Sequence, residues 1–197
     1  MIPQKLLLDR NGTLKKYKKN QSIFFEGDTP GFYYQVVQGS IRMFSMNENG
    51  REFIDGIYKK GESFGEPVLL IDEPYPASAV ANEDTLLIKI RKEEFLKILK
   101  EFPEIHFQFT KIIARRVYNK SLVAKAISIN EPEDRILSIF KILKDTYGVP
   151  GSENYKVELS RQQIADMIGF RVETVIRTIK RLEKKGIIKI QIGKIYL

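Results

Sequence analysis

The sequence predicts an α+β chain: an all-β sandwich or barrel in its first half, a long helix in the middle, and a helix-turn-helix followed by a β-hairpin at its end. Three observations carry this. Short runs rich in Ile, Val, Phe and Tyr, each ending near a turn residue, follow one another from about residue 12 to 91. From RKEEFLKILKEFPE onward the hydrophobic period becomes helical. Finally, LSRQQIADMI and VETVIRTIKRLEKK flank Gly169, and IIKIQIGKIYL follows them.

A chain of 197 residues suffices for one large domain or two modest ones with real cores. An apolar content of 43% excludes a disordered chain. No apolar run is long enough to span a membrane, and the three leucines of MIPQKLLLDR are too few for a signal-peptide core, so the cytoplasm is the expected compartment. There is no cysteine, and the single histidine is His106. Thiol catalysis, iron–sulfur clusters and ordinary zinc sites are thereby excluded, and no cofactor is expected. His106 lies in the apolar helical stretch EIHFQFTKIIARRV with no catalytic partner near it in sequence, so it reads as a surface or core histidine of that helix.

Taken in order, QSIFFEGD, FYYQVVQGS, SIRMFSM, REFIDGIY and TLLIKIR are the expected strands. Asn49-Gly50 supplies the positive φ values of a two-residue hairpin turn within IRMFSMNENGREFIDGI. KKYKK at 15–19 reads as a solvated edge strand. Phe95, Leu96, Ile98, Leu99 and Phe102 fit a short helix that stops at Pro103. A longer helix, about 104–128, carries one apolar stripe of Phe109, Ile113, Val117, Ala124 and Ile127. A second stripe begins with Ile105 and Ile112. One stripe covers the β-body; the other is expected to pair with a second subunit. NEPEDR starts the next helix, with Pro132 at an early position and acids in the first turn; DTYGVPGSEN is the loop that follows it.

The end of the chain is read most closely. Ser160 opens a helix with Gln163 as its capping-box partner, and Ile164, Ala165 and Ile168 form its inner face. Gly169 permits a sharp reversal. The next helix, about Val172 to Lys185, buries Val175, Ile176, Ile179 and Leu182, and Gly186 ends it. Two short strands then turn around Gly193-Lys194. Helix, tight turn, helix and hairpin together describe a winged helix-turn-helix. From 151 to 197 there are ten Lys and Arg against five Asp and Glu, so this quarter holds five of the eight net positive charges. A polyanion partner, double-stranded DNA, is implied. A recognition helix presents its N-terminal residues to base edges in the major groove. Arg177 suits a bidentate pair with guanine O6 and N7, and Glu173 accepts from cytosine N4. Arg171, Lys180, Arg181, Lys184 and Lys194 suit phosphates, and Ser160, Arg161 and Thr174 are further candidate DNA contacts.

FFEGD, YYQVVQGSIRMF, GESFGE, IIARRV, EDRILSIFKIL and LSRQQIADMIGFRVETVIRTIKRLEKKGII occur in this order along essentially the whole chain. In these segments it resembles the Crp/Fnr superfamily of bacterial transcription regulators. The resemblance implies a β-roll (jelly-roll) sensor domain over 1–103, a dimerisation helix over 104–129 and a winged helix-turn-helix over 130–197. It also implies a homodimer on inverted-repeat DNA, with RNA polymerase as a further partner. The family's base-reading Glu and Arg fall on Glu173 and Arg177. Val172 stands where many cyclic-AMP-receptor-like members carry Arg, so V-E-T-x-x-R looks more like the Fnr branch, whose cluster-holding cysteines are absent.

GESFGEPVLLIDEPYPASAVANED resembles the family's phosphate-binding cassette, which marks Glu66, Tyr75, Ala77 and Ser78 as the effector pocket. Glu66 matches the glutamate that holds the ribose hydroxyl in cyclic-nucleotide binders. Tyr75 stands where the cyclic phosphate's arginine is expected, and Pro76 where Ser or Thr is expected. Pro67 and Pro76 offer no N–H, and the lost arginine removes a charge-assisted contact. Glu66 therefore reads as a structural acceptor, and cyclic AMP is not the expected effector. The alternatives are a small-molecule sensor whose DNA binding requires an unidentified effector, and an enzyme on a cupin-like barrel. The second fails because one histidine cannot supply its metal site.

Overall fold

The computed structural model describes residues 1–48, 50, 52–149 and 154–197. They divide into two compact units, Met1–Ala114 and Arg115–Leu197. The first holds α1 (Gln4–Asp9), β1 (Thr13–Tyr17), β2 (Ser22–Phe24), β3 (Phe32–Gln38), β4 (Ser40–Met46), β5 (Glu52–Lys59), β6 (Ser63–Phe64), α2 (Pro67–Ile71), β7 (Ser78–Ala81), β8 (Thr85–Arg91) and α3 (Lys92–Glu101). The helix α4 (Pro103–Ile127) starts in this unit. Two antiparallel four-stranded sheets, ordered β1-β8-β3-β6 and β2-β7-β4-β5, form the β-roll.

Alternation along the strands builds two cores from one sheet. Tyr34 and Val36 of β3 and Leu87 of β8 join Phe24, Ile41, Met43, Ala79 and Ala81 of the other sheet between the layers. Tyr33, Ile88 and Ile90, one residue out of step, point the other way and pack with Leu7, Phe95, Ile98, Leu99 and Phe109 of the helices. A strand with both faces covered reads as a near-continuous apolar run rather than an alternating one, as TLLIKIR does. β1 pairs with β8 alone, so KKYKK does lie at an edge. β4 and β5 pair from Ser40↔Lys59 to Met46↔Glu52, and the turn expected at Asn49-Gly50 falls between them in sequence. Gly50 has φ +69° there, while Asn49 lies outside the described residues.

α4 corrects the division of its apolar residues. Ile105 shares a face with Phe109 and Ile113, and all three pack in the helical core of the first unit. Val117 and Ala124, placed on that stripe by spacing, are exposed, as are Phe107 and Tyr118. The period drifts over 25 residues, so a row chosen at one end leaves the buried face before the other. His106 is exposed.

The second unit contains the rest of α4, α5 (Pro132–Tyr147), β9 (Lys156–Val157), α6 (Arg161–Ile168), α7 (Val172–Lys184), β10 (Lys189–Gln191) and β11 (Lys194–Tyr196). Pro132 sits at the start of α5, with Glu133 and Asp134 in its first turn. Ala126, Ile136, Ile139, Phe140, Ile164, Ile168, Val175, Ile179, Leu182 and Ile195 close one core. The wing is three-stranded, ordered β10-β11-β9. Its tight turn is Ile192-Gly193, since Gln191 pairs with Lys194; Gly193-Lys194 was expected there. Of the expected loop after α5, residues 150–153 lie outside the described residues.

Candidate nucleic-acid interface

Three local devices set the geometry of α6 and α7. At the start of α6, Gln163 N–H donates to Ser160 Oγ at 3.1 Å, and Ser160 N–H donates to Gln163 Oε1 at 2.9 Å. This reciprocal box satisfies two donors that a helix start otherwise leaves open. At its end Gly169 adopts φ +72°, and Phe170 N–H donates to the Ala165 carbonyl at 3.1 Å. Arg135 of α5 then braces the turn from behind. Its Nη1 donates to the Ile168 carbonyl at 3.1 Å and its Nε to the Ile129 carbonyl at 2.6 Å, while the guanidinium lies 4.2 Å from the Phe170 ring centroid. The sequence reading missed Arg135; a basic residue four positions into a helix carries no distinguishing signal by itself.

α7 presents a charged outer face because its buried residues, Val175, Thr178, Ile179 and Leu182, follow i, i+3, i+4, i+7. Glu173, Arg177, Lys180 and Lys184 are exposed, and their spacing puts them on the opposite face. Arg171 is the N-cap, exposed, its carbonyl accepting from Thr174 and Val175 N–H at 3.0 and 3.2 Å; Thr174 is half-buried. Ile176 is a correction. It was expected inside and is 40% exposed, because a residue 100° round from Val175 falls at the margin of the buried stripe.

Two expected DNA contacts, Arg181 and Arg161, already have protein partners. Arg181 Nε lies 3.3 Å from Glu133, which also meets Lys185 Nζ at 2.6 Å. This pair ties the end of α7 to the start of α5 and holds the Glu133 carboxyl below its usual range, chiefly through the Lys185 hydrogen bond. Arg161 Nη1 donates to the Gly193 carbonyl at 2.6 Å, so it fastens α6 to the wing. Lys194, beside that turn, is exposed.

In the β-roll the four expected pocket residues come together around an aromatic stack. Tyr75 is 3% exposed, and its ring lies on Phe24 with centroids 3.7 Å apart and 9° between planes. Tyr34 and Phe64 extend the cluster. The stack passes over Gly65, where a Cβ would come 3.0 Å from Tyr75 and 3.2 Å from Phe24. Backbone bonds zip this segment to the 25–28 loop: Tyr75 N–H donates to the Asp28 carbonyl at 3.0 Å, and Gly27 N–H to the Tyr75 carbonyl at 2.8 Å. Glu26 N–H donates to Ser78 Oγ at 3.0 Å, and Ala77 is buried. Glu66 is fully buried, accepts from Ser63 Oγ and precedes Pro67, the first residue of α2. The Tyr75 hydroxyl has no hydrogen-bond partner among the described residues. Burial pushes its ionisation well above the ordinary range, and that of Tyr34 up to about 12.

Among the described residues no group of His, Cys, Asp and Glu could hold a metal ion, and no helix is long and apolar enough to cross a membrane. A β-roll of the cyclic-nucleotide-binding kind on the same chain as a winged helix-turn-helix defines a class of DNA-binding regulator. Residues 14–102 match the family model of the cyclic nucleotide-binding domain, and residues 135–197 match that of the Crp-like helix-turn-helix domain. The chain belongs to the Crp/Fnr family of transcription regulators, a family of regulators rather than enzymes. It is 28% identical over 180 residues to the cyclic AMP receptor protein of Thermus thermophilus, covering 91% of this chain and 81% of that one. It is 25% identical over 182 residues to the transcriptional activator protein Anr of Pseudomonas aeruginosa, covering 91% and 74%. A CooA mutant from Carboxydothermus hydrogenoformans shares the fold, with a TM-score of 0.82 at 18% identity over 97% of this chain and 84% of that one.

Proposed function

We propose that this regulator binds inverted-repeat DNA as a homodimer through α7, and that cyclic AMP is not its switch. The observation that carries the first half is the exposed row Glu173–Arg177–Lys180–Lys184 on a helix whose other face is locked into the core. Arg177 and Glu173 read a G·C pair, and Arg171, Thr174, Lys180, Lys184 and Lys194 meet phosphates. Ser160 and Arg161 bring the head of α6 to the backbone, with Arg161 also steadying the wing. The exposed apolar side chains Phe107, Val117 and Tyr118 of α4 support pairing with a twofold mate. Division of labour follows 1–103, 104–129 and 130–197: sensor-type roll, dimerisation helix and DNA-binding domain. RNA polymerase is the further protein partner, and the cytoplasm the compartment, that such a role implies.

The second half rests on Tyr75. A cyclic phosphate needs donors and a cation; the cassette offers a stacked phenol, two prolines and a Tyr75 N–H already given to Asp28. An anion buried there without compensation is unfavourable by several kcal/mol. The roll is therefore closed by its own side chains, and the dimer binds DNA without a ligand. Selection of bound duplexes from a random pool by dialysed protein tests this. Two inverted half-sites with a TGA-like core, centred about one helical turn (~34 Å) apart, are expected. A pool with no enriched sequence would contradict it.

A further inference from the structure

The wing carries a side chain that the fold does not explain. Ile192 is fully exposed, and its φ is +47°. A β-branched residue with positive φ is an outlier, because its Cβ crowds the following carbonyl oxygen. Ile192 and Gly193 (φ +72°) form the two central positions of a hairpin turn closed by Gln191↔Lys194. Positive φ at both positions is the type I′ pattern, in which Asn, Asp and Gly are at ease. Isoleucine there is strained and also leaves its apolar surface in water. Asn would incur neither penalty.

The tip is also held firmly. Arg161 donates to the Gly193 carbonyl, β11 is paired on both sides by β10 and β9, and Ile188 and Ile195 anchor the hairpin's base in the core. Lys189, Gln191 and Lys194 are exposed beside it. A braced hairpin thus presents one apolar side chain at a tip flanked by Gln191 and Lys194, with Lys189 further down the same hairpin, next to the helix start that bears Ser160 and Arg161. Backbone strain that its surroundings hold in place points to a contact made there.

We propose that Ile192 is a minor-groove contact: the wing lays its lysines on phosphates beside the sequence read by α7, and Ile192 enters the flanking minor groove. Apolar side chains act there against sugars and base edges. The preferred flank is A·T, because a G·C pair places the guanine 2-amino group in that groove. This rests on the DNA reading proposed for α7, and it adds a specificity element outside the major groove.

The test is fluorescence anisotropy on the selected duplex with wild type, Ile192→Asn, Ile192→Leu and Arg177→Ala. A second duplex carries 2,6-diaminopurine for adenine in the flanks, which adds an amino group to the minor groove alone. Ile192→Asn relieves the turn, so its melting temperature should equal or exceed that of wild type. Its affinity should nevertheless fall about tenfold, within the range of one lost base-pair contact. Ile192→Leu should retain most of the affinity. Diaminopurine should weaken wild type by a similar factor and leave Ile192→Asn unaffected. Unchanged affinity of Ile192→Asn, or equal sensitivity of both proteins to diaminopurine, would overturn the wing contact while loss of preference in Arg177→Ala still upheld α7. Wild type that bound every duplex alike would overturn the α7 reading and this one with it.

Discussion

Replacing Tyr75 by Phe isolates one polar atom that the β-roll buries. The substitution keeps the ring, and with it the 3.7 Å stack on Phe24 and the packing over Gly65. It removes only a hydroxyl that lacks a hydrogen-bond partner among the described residues. Burying an unsatisfied hydroxyl is unfavourable by about 1–3 kcal/mol. The void left by one oxygen takes back a fraction of that, at roughly 24 cal/mol per Å³. The net expectation is a gain of about 1 kcal/mol. For a unit spanning Met1–Ala114 this raises the melting temperature by about 4 °C. Urea titration followed by far-UV circular dichroism is the appropriate assay, because the chain has no tryptophan and its fluorescence rests on nine tyrosines. The transition midpoint should move up with an unchanged slope, and ligand-free DNA binding should be unaltered. A loss of 1 kcal/mol or more would show that the hydroxyl has a partner in solution. That result would refute the closed aromatic stack and reopen the roll as a ligand site.

Arg177→Ala should weaken binding by about 1–3 kcal/mol and relax preference at one guanine, whereas Lys184→Ala should weaken all sequences alike and flatten the salt dependence; competition titrations at two salt concentrations separate the two. Light scattering at micromolar protein should give about twice 22.8 kDa, and a monomer would contradict the pairing of α4. Stability should fall at alkaline pH. Burial raises the phenol of Tyr34 to about 12 and that of Tyr75 still further, so the folded state holds protons that the unfolded state, titrating near 10, releases. Their contribution is complete below pH ~10 and is lost as pH rises toward 12. Replacing both by Phe should flatten that decline in denaturant titrations.

The helix-turn-helix was legible because its signals are local. Ser160 and Gln163 are three residues apart, Gly169 sits where a left-handed turn is needed, and the charged row of α7 repeats at helical spacing. Elements defined by distant partners were not. β6, with two residues, exists through its pairing with β3, and β9 through β11; neither is long enough to show a period. The helix α1 forms from LLL at 6–8 because Leu7 fills a core closed by α3 and β8, which its neighbours in sequence cannot announce. In the roll, the absence of an arginine was readable, and Tyr75 in its place was noted. That Phe24, fifty-one residues earlier, would stack on it was not, because an aromatic pair between a strand and a distant loop leaves no trace in spacing. Ile176 and the α4 stripes failed for the opposite reason: a period was assumed to hold at positions on its margin.

Ligand independence is the central claim, and a DNA titration of exhaustively dialysed protein tests it most directly, repeated with millimolar cyclic AMP and cyclic GMP. Tight, sequence-specific binding should already be present, and neither nucleotide should change it. A tenfold gain in affinity with either would correspond to about 1.4 kcal/mol of coupling and would contradict a roll closed by Tyr75.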